Sequence, residues 1–287
     1  MEIGKAFNSI SSYNENMAKH MMDKLFWLKY VPDDKPVLYV DFGCADGTML
    51  NYLREINHNE GRLFNTYIGY DICDTMINLA KTNFNGDKGH FETVEFVSSW
   101  DKVKEIMDTH ANKTKHKVLI LSSVIHEVYS YAKSGDEVDE FWDRVLNSGF
   151  DQIMVRDMMI TYDTCRPADE EDILQIRMDR KKVLSDKQLF DFEWNWGTIK
   201  DVNTMIHFLL KYRWKINWER EVNENYFPIF VEDFLELMVN NGSNYKIDYF
   251  EHFRIPFLEN EIKKDFDIKL EDDTHIKAVF SLKKNIS

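Results

Sequence analysis

The chain has 287 residues, room for one large domain or for a core interrupted by a substantial insertion. With 11 glycines, 5 prolines and 44% apolar residues it is neither collagen-like nor low-complexity, and it can bury a core. Fifty acidic against 36 basic side chains give a net charge of −14, so any nucleic-acid binding needs a local basic patch to overcome general repulsion.

No apolar run approaches the roughly 20 residues that cross a bilayer. The opening stretch, MEIGKAFNSISSYNENMAKH, has no apolar h-region, so it does not read as a signal peptide. Cys44, Cys73 and Cys165 are scattered, with no C-x-x-C and no zinc-ligand spacing. These features predict a globular protein of the reducing cytoplasm with no bound metal.

In chain order, residues 1–36 read as an N-terminal helical segment. Residues 37–42 (VLYVDF) are an apolar run ending at Gly43, which suits a buried parallel strand. A helix follows over 48–57, with Leu50, Leu53 and Ile56 on one stripe and Asp46 as its expected cap. Residues 66–71 predict a second strand and 74–82 a helix capped by Asp74. Strands at 93–97 and 117–123 flank a helix at about 100–110. The spacing of Val138, Phe141, Trp142, Val145 and Leu146 predicts a helix over 136–148, and 151–157 reads as strand five. This alternation, with short links, is that of a doubly wound α/β sheet.

The alternation breaks after residue 160. Residues 161–229 read as a helical insertion holding an acidic helix start at 169–172, a helix over 199–212 and four of the seven tryptophans. Residues 230–241 predict a helix stopped by Gly242. Two long strands, at 245–253 and 275–283, follow.

The chemistry lies in Asp41-Phe-Gly43-Cys-Ala45-Asp-Gly47, between strand one and its helix. Glycines permit a tight turn and close approach of a ligand, and the helix N-terminus beyond offers N–H groups and a positive dipole end. Asp71 ends strand two, where an acidic side chain meets ribose hydroxyls in doubly wound sheets. The two carboxylates suit a ligand with an adenosine part and a cationic part.

VLYVDFGCADGTML followed by YIGYDICDTMINLAK resembles the first two motifs of class I (Rossmann-like) S-adenosylmethionine-dependent methyltransferases. The last helix and two strands resemble that family's final antiparallel hairpin. The resemblance covers about 37–160 and 230–283. It implies a seven-stranded, mostly parallel sheet with the insertion after strand five, and a core of 37–160 completed by 230–287. It implies S-adenosyl-L-methionine as cofactor, with Gly43, Ala45 and Gly47 lining the methionine part and Asp41 orienting its amino group. Asp71 takes the ribose hydroxyls on this likeness, Ile72 lies beside the adenine, and Ser98, Ser99 and Trp100 form the adenine edge. Ser122 completes the cofactor set. Two departures are visible: Ala45 stands for the usual middle glycine, and the common acidic residue is missing at 98–100.

The resemblance also places the segment after strand four, Ser122-Ser123-Val-Ile-His126-Glu127-Val-Tyr129, at the transferred methyl. His126 suits a base, with a pKa near neutrality, and Glu127 and Tyr129 suit orientation of an acceptor. The segment lacks the Asp/Asn-Pro-Pro-Tyr/Phe motif of base amino-methyltransferases and is not His-Glu-x-x-His. The expected activity is therefore methyl transfer to a small molecule or a nucleic-acid component, with the insertion as a lid over the acceptor. Nucleic acid could bind through 211–220 (KYRWKINWER), where cations alternate with aromatics. The alternative is a cofactor-binding but catalytically silent partner subunit. A nicotinamide dehydrogenase stands last, because Gly-x-Gly-x-x-Gly is absent. The oligomeric state cannot be read from the sequence.

Overall fold

The structure, a computed structural model, describes residues 21–84, 92–240 and 243–283. Strand β1 (Val37–Phe42) is buried along its whole length, as an apolar run must be when both faces of a parallel strand are covered. It pairs in parallel with β2 (Thr66–Tyr70), Val40 opposite Ile68, and with β4 (His116–Ser122), Val40 opposite Leu119. Strand β3 (Thr93–Val97) pairs in parallel on β2. With β5 (Gln152–Met158), β6 (Tyr245–Phe253) and β7 (His275–Leu282), the sheet has seven strands in the order β3-β2-β1-β4-β5-β7-β6. The last two are antiparallel, with a bulge between Ile247 and Tyr249. The expected α/β sheet and its final antiparallel pair are therefore present.

The chain forms two compact units, one reaching Ser122 and including 148–154, the other holding 123–147 and everything from Val155. In the first, α1 (Thr48–Asn59), α2 (Asp74–Asn83) and α3 (Trp100–Met107) link the strands. The Tyr39 and Tyr67 rings stack 5.4 Å apart, and Asn57 donates to the Tyr67 hydroxyl. In the second, α4 (Ile125–Tyr131) and α5 (Gly135–Asn147) precede β5. The insertion carries α6 (Glu170–Met178), α7 (Gln188–Trp196), α8 (Val202–Lys211) and the short α9 (Trp218–Glu221). Helix α8 is its axis: Val202 and Met205 through Lys211 are all buried, and a capping box between Asp201 and Thr204 fixes its start. Helix α10 (Val231–Val239) and α11 (Pro256–Phe266) complete the unit.

Several expectations shift. Helix α8 starts at Val202, not 199, because Asp201 caps it. The N-cap positions of α1 and α2 are Gly47 and Cys73, each one residue from the expected Asp46 and Asp74, and Asp46 Oδ1 still accepts from the Thr48 N–H at 3.1 Å at the start of α1. Asp169 does cap α6, accepting from the Glu171 N–H at 2.7 Å. Helices α4 and α11 escape the sequence pattern, as do α7 and the short α9 inside the insertion. Helix α4 has only seven residues, four of which, Ile125, Val128, Tyr129 and Tyr131, are of types that favour strands. Helix α11 opens on Pro256, which fits a first helical turn but reads as a loop breaker. Gly242 and residues 1–20 lie outside the described residues.

The tightest constraint in the first unit is at Gly69 on β2. A Cβ there would lie 2.4 Å from Phe96 Cδ1 and 2.8 Å from Cys44 Sγ. Gly69→Ala should destabilise the protein by about 1–3 kcal/mol, the cost of overpacking, read as a lower urea midpoint. Adding Phe96→Leu should recover part of the loss.

Candidate functional site

The loop after β1 is built on three left-handed residues, Gly43, Ala45 and Gly47, with φ of 78°, 46° and 77°. At Ala45 this conformation costs roughly 1–2 kcal/mol, offset by its N–H, which donates to Asp71 Oδ2 at 2.9 Å. The N–H groups of Gly43 and Cys44 both donate to the Tyr70 carbonyl, at 2.8 and 3.0 Å. The loop is thus strapped to the end of β2. The Cys73 N–H donates to Asp71 Oδ1 at 2.8 Å, so each oxygen of Asp71 holds one backbone hydrogen and keeps a second lone pair. At Gly47 a Cβ would meet the Phe96 ring at 2.8 Å, so this glycine is demanded by packing as well as by its φ.

Around this loop, Ile72 is 85% exposed and Ser98 and Ser99 are exposed beyond β3. Asp41, near the end of β1, is buried. Burial pushes its pKa up to about 7; Lys24 opposes the shift and Asp71 adds to it. Trp100 departs from expectation. It begins the buried stripe of α3 with Val103 and Met107, and its ring sits 5.4–6.4 Å from those of Tyr70, Phe42 and Phe150. It belongs to the core rather than to an adenine edge. Ser122, ending β4, has a buried hydroxyl with no hydrogen-bond partner among the described residues. Such a group costs about 1–3 kcal/mol unless something reaches it. Open lone pairs on Asp71, a titratable buried carboxylate and an unsatisfied hydroxyl fit a ligand that brings hydroxyl donors and a cation.

The second unit gathers the other candidates on α4. His126 Nδ1 lies 2.7 Å from Asp157 Oδ1, and both side chains are buried. Asp157 also accepts from the N–H groups of Val124, Ile125 and Met158 at 2.7–3.0 Å. Burial opposes a charged imidazole, but the charge and hydrogen bond of Asp157 outweigh it and hold His126 above its ordinary 6.5. Asp157 in turn lies below its ordinary 3.8: burial resists this, and His126 and the backbone N–H groups prevail. The His126 ring meets Tyr226 edge-on at 5.6 Å.

Glu127 pairs with Arg220 at 2.5 Å, and Arg220 also pairs with the buried Glu224 at 2.7 Å. Burial pushes the Glu127 pKa up against the pull of Arg220. The Tyr129 hydroxyl accepts from Trp142 Nε1 at 2.9 Å, and Tyr131 donates to Glu224 at 2.7 Å. The sequence marked His126, Glu127 and Tyr129 but not that two insertion residues reach α4, Arg220 on Glu127 and Glu224 on Tyr131. Those lie about 93 positions away, and no local pattern links them. Within 211–220 the cations are mostly committed. Lys211 is buried, with its ammonium on the carbonyls of Glu221 and Glu224; Arg213 pairs with Glu261, and Arg220 with two glutamates.

No family model matches the sequence, and no curated protein matches it. Solved structures do. A mycolic acid cyclopropane synthase complexed with SAH and CTAB superposes with a TM-score of 0.50 at 9% identity, over 92% of this chain and 85% of that one. A cyclopropane synthase from Mycobacterium tuberculosis gives 0.48 at 10% identity, over 91% and 83%. A loganic acid methyltransferase with SAH gives 0.43 at 13% identity, over 97% and 94%. The chain has the class I methyltransferase fold, as its strand order and final antiparallel pair require. No helix among the described residues is long and apolar enough to cross a membrane.

Breaking the His126–Asp157 pair should cost stability in a pH-dependent way. The contribution of Asp157, whose pKa is lowered, is present above 3.8 and lost as pH falls through its native value. That of His126, whose pKa is raised, is full below 6.5 and fades as pH rises through its native value. Asp157→Asn should therefore cost about 3–5 kcal/mol between these limits and less in alkali. Urea titrations at several pH values read this, and the His126 ring resonance should titrate lower in the variant.

Proposed function

We propose that this chain is an S-adenosylmethionine-dependent methyltransferase whose acceptor is a small molecule or a nucleic-acid component. The observation that carries the reading is the Asp71 carboxylate, fixed by the N–H groups of Ala45 and Cys73 with one lone pair on each oxygen left over. When bound, the cofactor supplies an electrophilic sulfonium methyl. On this reading Asp71 takes the ribose hydroxyls, and Gly43, Ala45 and Gly47 line the methionine part. Asp41 orients the cofactor's ammonium, Ile72, Ser98 and Ser99 flank the adenine, and the Ser122 hydroxyl gains its missing partner. Trp100 supports them from the core.

His126 serves as the proton acceptor. Donation of its Nδ1–H to Asp157 leaves the Nε2 lone pair available and stabilises the imidazolium that forms. Glu127, held by Arg220, and Tyr129, held by Trp142, orient the acceptor with their remaining hydrogen-bonding capacity. Fixing these groups beforehand avoids paying their ordering entropy during transfer.

Calorimetry should show S-adenosylmethionine binding, weakened at least about tenfold by Asp71→Ala, the loss expected for a charge-assisted hydrogen bond. Unchanged affinity in the variant, or binding of NAD instead, overturns the reading. Because Asp41 ionises near 7, affinity for the cationic ligand should rise from pH 6 to pH 8 in the wild type and stay flat in Asp41→Asn. Incubation with methyl-labelled cofactor and fractionated cell extract identifies the acceptor class. With that acceptor, the rate should rise with pH through a midpoint above 6.5, and His126→Gln should lose this limb. Binding without transfer to any fraction would leave a cofactor-binding regulatory chain.

A further inference from the structure

The stretch from Glu221 to Tyr226 is anchored by two buried side chains of α8. Lys211 donates from Nζ to the carbonyls of Glu221, at 2.6 Å, and Glu224, and its ammonium stands 4.4 Å from the centre of the Tyr226 ring. His207, kept neutral by burial and by the charge of Lys211, accepts the Tyr226 N–H on Nε2 at 3.3 Å. The Tyr226 hydroxyl donates to the Glu221 carboxylate of the same stretch. On its other side the stretch is tied to α4. The Asn225 N–H donates to Ser130 Oγ at 2.7 Å, and Ser130 Oγ donates to the His126 carbonyl at 2.6 Å. One residue further on, the Tyr226 ring meets the His126 ring at 5.6 Å, with 75° between their planes.

We propose that Tyr226 is a positioning residue for His126, and that Lys211 acts on the imidazole through the stretch that carries Tyr226. The inference rests on the reading of His126 as the proton acceptor. Asp157 fixes the imidazole at one atom, Nδ1. A single hydrogen bond leaves a ring able to tilt about that atom, and the tilt displaces Nε2, on the far side of the ring. The buried Tyr226 ring, nearly perpendicular to the imidazole, is a rigid stop against this tilt. The stop matters because a misplacement of about 1 Å costs on the order of a hundredfold in rate. Lys211 matters because the bonds of its ammonium go to the stretch itself. An apolar side chain of similar size would fill the same space. It would leave the carbonyls of Glu221 and Glu224 without that donor, and the stretch would have to open to reach water.

The His126 ring in the full chain reads this directly, by proton–nitrogen NMR with labelled histidine, the resonance being assigned with His126→Gln. Tyr226→Leu and Lys211→Met should each shift and broaden the His126 signals, and the double variant should add little, as for two residues acting through one path. Tyr226→Phe keeps the ring and should keep the wild-type signals. Ser130→Ala, at a half-buried position, cuts the Asn225 tie alone and should give a smaller shift, so the inference stays testable if Lys211→Met does not fold. With methyl-labelled S-adenosylmethionine and the acceptor fraction, Tyr226→Leu and Lys211→Met should lower kcat about ten- to a hundredfold at unchanged cofactor KM, and Tyr226→Phe should restore it. His126 signals that stay in place in Tyr226→Leu overturn the proposal. So do signals that move there but in neither Lys211→Met nor Ser130→Ala, or that move with kcat unchanged while His126→Gln is inactive. If His126→Gln transfers methyl normally, the proton-acceptor reading fails, and the ring signals still decide whether Tyr226 sets the imidazole.

Discussion

A carboxylate at the end of one strand that fastens the loop after another is the interaction on which both candidate sites depend. Parallel strands end with their loops side by side, and the backbone N–H groups of those loops have no ladder to join. Asp157 on β5 meets this need for the loop after β4, taking the amides of Val124 and Ile125 and fixing His126 through the remaining oxygen. Asp71 beyond β2 does the same for the loop after β1, taking the amide of Ala45. Burial separates the two. Asp157 is sealed in and its charge is spent on the protein, whereas Asp71 is half-exposed and keeps lone pairs for something else.

Much of the architecture was legible because burial writes itself into strands. VLYVDF on β1 could be nothing but a doubly covered strand, and Phe141, Trp142 and Val145 mark the inner stripe of α5. Asp41, the positive-φ loop and Asp71 were legible for the same local reason, as a short motif states its own turn chemistry. What was hidden is non-local or too short. Helix α4 has seven residues and no amphipathic period to detect, yet it carries His126, Glu127 and Tyr129. Asp157 lies in a strand the sequence shows, but its bond to His126 spans 31 positions and becomes apparent only where β5 meets the loop after β4. Trp100 shows the opposite failure. Its position after β3 matched a ligand-facing residue, but the first turn of α3 aims that side chain inward.

The insertion handles charge differently from the surface at large. Arg220 spans Glu127 and Glu224, and Lys211, fully enclosed, has a pKa lowered to about 7 by burial, with nearby glutamates opposing the shift. Its ammonium rests on two carbonyls of the 221–224 segment and faces the rings of Trp196 and Tyr226 at 5.2 and 4.4 Å. The segment is thus held twice, by the enclosed cation on its carbonyls and by Val222 with the flanking Trp218 and Tyr226 in the hydrophobic cluster. The bracing of α4 by Arg220 rests in turn on that segment.

The place of β7 in the sheet bears on how the chain is made. It is the last strand in sequence, but it lies between β5 and β6. During synthesis β5 must therefore wait, with one edge unpaired, while more than a hundred residues emerge, and β6 has no neighbour until β7 arrives. Open strand edges pair readily with other chains. The insertion, α10, β6 and α11 all lie in that waiting stretch, so β5 keeps its open edge until every one of them has been made.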